Sequence, residues 1–169
     1  MPESVMGLPL HPLVVHAAVV LVPLAAVMTI VIAVDPARRS RFGALTWLLA
    51  AAAAAATVAA RLTGQNLAAA VYPRRVPAQV VDHQSFGQSS PWYALALLGG
   101  ATALLLLDLD RKRRPGIGSA LLPSVLSVVV VLVAMAATIQ VAWTGWTGAE
   151  ARWSGVVVES LPLPGVPAR

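Results

Sequence analysis

The sequence predicts an all-α integral membrane protein, a four-helix bundle with both termini outside. Three observations carry this. Of 169 residues, 58% are apolar and only 11% charged, where a soluble domain carries roughly a quarter charged residues. The apolar residues gather in four blocks, and about 20 residues of apolar helix cross a hydrocarbon core of about 30 Å. Short basic clusters follow the first and third blocks, as they do on the cytoplasmic side of membrane proteins.

The four spans are expected at 13–34, 43–60, 91–109 and 121–142. The first opens with "MPESVMG", which carries Glu3 and no Lys or Arg, so a membrane span is expected there rather than a cleaved signal peptide. The second contains an unbroken alanine run, Ala50 to Ala56; such small side chains allow close helix approach and predict a packed face. The third and fourth flank the basic loop "DRKRRPG". With "DPARRSR" after the first span, this loop places residues 35–41 and 110–116 in the cytoplasm and the 61–90 connection outside. Trp92, Trp143, Trp146 and Trp153 then gather at the outer interface, and Trp47 at the inner one. No internal repeat is evident, and "WTGWTG" (143–148) reads as a local echo. Residues 1–160 form one transmembrane domain, and the Pro-rich tail 161–169 is expected to lack structure. The expected location is the plasma membrane.

Composition also excludes function classes. The net charge of +5 is confined largely to the loops, so it sets topology and gives no nucleic-acid face. There is no cysteine, hence no thiolate metal site. No phosphate-binding loop, nucleophile elbow, HExxH or paired intramembrane carboxylate is present, so an enzyme acting alone is not indicated.

The chemistry that remains is imidazole. "GLPLHPLVVH" (7–16) holds His11 and His16, and His83 stands alone before the third span. At 1.5 Å per residue, His16 lies about 27 Å above the inner end of its span, level with Gln140, with Ser89 and Ser90, and with Arg61. Gln140, Thr144 and Thr147 make one stripe on the fourth span. His11 precedes Pro12, which favours the first helical turn. Five residues apart, His11 and His16 would point about 140° from one another. His16 and His83 are therefore the expected ligand pair for b-type haem or a transition metal, with His11, Gln140, Thr144 and Arg61 around them. Arg61, Arg74 and Arg75 serve as interfacial anchors or as cations for haem propionates. The structural alternative gives each group a plain role: an imidazole bonded across the bundle, and Gln140 and the threonines as interhelical glue.

"GLPLHPLVVH", followed by "RLTGQN" (61–66), the isolated His83 and "GAEARWSGVVV" (148–158), resembles domain-of-unknown-function family 2231, small bacterial membrane proteins with four spans. The resemblance covers nearly the whole chain. Departures are Ala17 and Ala18, where the family often has Phe-Pro, and Asn66, where it often has an acidic residue. Members fused to Rieske-type domains imply an electron-transfer neighbourhood, and so redox membrane proteins as partners. Three functions are weighed: a redox-associated haem or metal protein of the lipid bilayer, a non-catalytic subunit acting through partner binding or homo-oligomerisation, and a small-solute transporter.

Overall fold

The computed structural model describes residues 4–113 and 121–160, with residues 154–160 described as helix only. The tail 161–169 and part of the second basic loop lie outside these residues. Within them, a short antiparallel pair, β1 (Ser4–Val5) and β2 (Leu8–Pro9), precedes four helices. These are α1 (Leu10–Val34), α2 (Pro36–Val71), α3 (Ala78–Arg113) and α4 (Leu121–Ser160). All four are long and apolar enough to cross a membrane. Sequence neighbours pack antiparallel, α4 closes back on α1, and α1 meets α3 across the bundle diagonal.

Helices α2, α3 and α4 exceed the expected spans. At 1.5 Å per residue, the 36 residues of α2 make about 54 Å of helix, well beyond the hydrocarbon core. The 61–90 connection is accordingly mostly helix, and only residues 72–77 join α2 to α3. The sharpest junction is at Asp35. Its carboxylate accepts from the N–H groups of Ala37 (3.0 Å) and Arg38 (3.3 Å), and Pro36 takes the first helical position, where a missing N–H costs nothing. The carbonyls ending α1 are also covered. Arg39 Nε donates to Ile32 O (2.9 Å), and Ser127 Oγ donates to Ala33 O (2.8 Å). This buries Arg39 at the basic end of the bundle.

Small residues make the core. Ala25, Ala26, Ala50, Ala53, Ala54, Ala94, Ala101, Ala134 and Ala137 are buried, with Leu97 and Val22 between them. Without a hydrophobic drive between helices in lipid, close backbone approach of this kind supplies the packing. The alanine run of α2 is two-sided: Ala50, Ala53 and Ala54 face the core, and Ala52 and Ala55 face outward.

The buried positions reveal a repeat that is not evident in the sequence. Ala18, Val22, Ala25, Thr29 and Ile32 of α1 correspond to Ser90, Ala94, Leu97, Ala101 and Leu104 of α3, each 72 residues on. Thr46, Ala50, Ala53, Thr57 and Thr63 of α2 correspond to Val130, Ala134, Ala137, Val141 and Thr147 of α4, each 84 residues on. The contact of Ser127 with Ala33 has its counterpart in Gly43, which packs against Leu105. The bundle is thus two similar helical hairpins, related by an approximate two-fold axis along its length.

Candidate functional site

The two hairpins bring their histidines together at one end of the bundle, where α1 and α3 begin. In the first hairpin, Pro12 lies in the opening turn of α1 and His11 sits just before it. His11 Nδ1 lies 3.0 Å from Ala60 O and 3.3 Å from Thr63 Oγ1 on α2. A carbonyl oxygen can only accept, so Nδ1 carries the proton and Nε2 keeps its lone pair. Thr63 Oγ1 in turn donates to Ala59 O (2.8 Å). Gly64 makes room for the ring: a Cβ there would stand 2.9 Å from His11 Cε1.

The second hairpin repeats this arrangement. His83 Nδ1 lies 3.1 Å from Thr144 O and 3.4 Å from Thr147 Oγ1 on α4. A Cβ at Gly148 would stand 2.9 Å from His83 Cε1. Both imidazoles are half-buried. Their centroids are 6.2 Å apart and their planes 60° to one another. Each ring is therefore held by its own hairpin, and the two meet across the diagonal between α1 and α3. No hydrogen-bond partner is found for either Nε2 among the described residues.

The pairing differs from the one expected from depth. The sequence pairs His83 with His16, a pairing that requires the 61–90 connection to be a loop. Because α3 starts at Ala78, His83 is already helical and stands higher, level with His11. His16 points away from the pair; it is exposed, and its ring bonds the Pro12 carbonyl of its own helix. Gln140 donates to Phe86 O (3.0 Å) and Ser89 Oγ (2.8 Å), and Thr144 Oγ1 meets Ser90 Oγ at 3.1 Å. These ties join α4 to α3 beneath His83. The equivalent positions of the first hairpin, Ala56, Ala17, Ala18 and Ala60, carry no polar side chain, so the two half-sites share geometry but differ in polarity. Arg61 lies on another face of α2, turned away from the pair into the groove against α3.

Sequence reasoning missed Thr63, Gly64 and Gly148. The signal was the dipeptide Thr-Gly, which stands at 63–64 in the first hairpin and recurs at the equivalent positions 147–148 in the second. Among the described residues, no group of three or more His, Asp or Glu could hold a metal ion.

Residues 7–160 match a family described as predicted membrane protein (DUF2231). No curated protein and no solved structure matches the chain. The match takes in all four helices and both half-sites, and the chain belongs to this family of predicted membrane proteins.

Proposed function

We propose that this membrane protein holds one b-type haem iron between His11 and His83 and passes single electrons at that end of the bundle. The observation that carries the reading is the pair itself: two imidazoles related by two-fold symmetry, with protonated Nδ1 atoms on backbone carbonyls and Nε2 atoms left to coordinate. A carbonyl on the far ring nitrogen is the usual outer-shell partner of a metal-bound histidine, fixing tautomer and orientation. The ring centroids stand 6.2 Å apart, so that both imidazoles border the same space.

Two protein donors suit haem better than a bare ion. Haem would need only these two histidines from the chain, whereas a structural zinc takes four protein donors. Gly64 and Gly148 leave the rings unobstructed on the other two helices. Haem held there would supply one-electron chemistry, and His11 and His83 would supply ligation with a ring orientation fixed by Ala60 O and Thr144 O. The test is a reduced-minus-oxidised spectrum of protein purified from its native membrane. A Soret band with sharp reduced α and β bands is expected. Colourless protein that stays colourless after incubation with haemin would leave the histidines as interhelical ties and overturn the reading.

A further inference from the structure

A groove of about 200 Å³ runs between α2 and α3, lined by Val58, Arg61, Leu62 and Gln65 on one side and Pro91, Trp92 and Leu95 on the other. It lies on the outside of the bundle, separate from the histidine pair. On α2, His11 rests against Ala60, Thr63 and Gly64, and at 100° per residue Arg61 and Gln65 project from a different face. Arg61 is half-buried and has no hydrogen-bond or ion-pair partner among the described residues, and no carboxylate lines the groove. A guanidinium in an apolar cleft without a counter-charge is costly.

The groove is polarised along the bundle. Helix α2 runs toward the histidine end, so Gln65 stands highest, Arg61 next and Val58 lowest, over about 10 Å. Helix α3 runs the other way and brings Leu95 to the apolar end. Donors lie above and hydrocarbon below, the order of an amphiphile standing in a bilayer. The repeat provides an internal control. The corresponding positions between α4 and α1 are Ala142, Gly145, Trp146, Ala149, Val19, Val20 and Pro23, none of them charged. The shared fold thus does not require a cation here; only the α2–α3 groove has one.

We infer that this groove binds one anionic glycerophospholipid, with its phosphate on Arg61 and Gln65 and an acyl chain along Val58, Leu62 and Leu95. An Arg fork suits phosphate oxygens, and charge-assisted bonds of this kind are the strong ones. The test is native mass spectrometry of the intact chain in mild detergent, titrated separately with phosphatidylglycerol and phosphatidylcholine. One phosphatidylglycerol should be retained per chain, in preference to phosphatidylcholine. Arg61→Gln should lower that retention roughly tenfold, Arg61→Lys should keep most of it, and Arg75→Gln, outside the groove, should leave it unchanged. Equal retention of both lipids, or full retention by Arg61→Gln, overturns the site. Displacement of the lipid by millimolar inorganic phosphate would assign the cleft to free anion instead and overturn it too. Repeating the titration on His11→Ala separates this site from the haem: unchanged retention supports a lipid site of its own, and loss would make Arg61 part of the haem site.

Discussion

A hydroxyl buried in an apolar bundle needs an acceptor, and nearly every threonine here finds one on its own helix. Thr46, Thr57, Thr63, Thr102, Thr138, Thr144 and Thr147 each donate to a carbonyl three or four residues back. Thr29 does not: its Oγ1 is fully buried and has no hydrogen-bond partner among the described residues. Its counterpart in the second hairpin is Ala101, so the position demands no polar atom. Removing an unsatisfied hydroxyl while keeping its shape is neutral or stabilising. Thr29→Val should therefore match or exceed the parent in thermal unfolding, by up to about 1 kcal/mol; a marked loss would mean the hydroxyl is satisfied after all. The glycines under the rings work in the opposite sense. Gly64→Val or Gly148→Val would push the imidazole off its carbonyl, at a cost of roughly 1–3 kcal/mol for overfilling. Haem content should fall in both variants, read as the Soret-to-280 nm absorbance ratio.

At the scale of the helix, Asp35 and the alanine run give the clearest expectations. Asp35 caps α2 and is also bridged by Arg38 Nε at 3.0 Å. The exposed bridge contributes little, but loss of the cap in Asp35→Ala should cost about 1 kcal/mol, seen as a lower melting temperature in detergent. On α2, Ala53→Leu inserts volume at a fully buried contact and should destabilise by roughly 1–3 kcal/mol, while Ala52→Leu, facing outward, should be tolerated. Equal tolerance at both positions would place the run against lipid and contradict the packing described. The apolar centres of all four helices were legible in the sequence because hydropathy is what a bilayer selects. Their ends were not. Segments such as "RLTGQNLAAAV" and "AQVVDHQSFGQSS" are too polar to read as spans, yet nothing in them stops a helix, and packing against neighbours carries it through.

The two-fold relation between hairpins belongs to the whole molecule, and it was the least legible feature. No single period relates the halves: the first helices correspond at 72 residues and the second at 84, because the connection from α3 to α4 is longer than the one at Asp35. Alignment of the chain on itself at one shift therefore matches only half of each hairpin. Few equivalent positions keep their identity, chiefly His11 with His83 and Thr63-Gly64 with Thr147-Gly148, because an apolar core constrains size more than residue type. The histidines were visible as candidates, but which two would meet was not, since that depends on α3 beginning at Ala78. Orientation follows from basic-residue bias alone. A reporter inserted after Arg41 should read cytoplasm and one within 72–77 the outside, which puts the imidazole pair at the outer face; the reverse pattern would invert the site.

In the proposed haem site His11 and His83 act jointly, and His16 lies outside it. The most direct measurement is haem stoichiometry in purified single variants, by absorbance and pyridine haemochrome, beside circular dichroism to verify folding. Parent and His16→Ala should each carry one haem per chain, and His11→Ala and His83→Ala should each remain helical and lose it. Full haem in His11→Ala, or its loss in His16→Ala with the fold intact, would contradict the site.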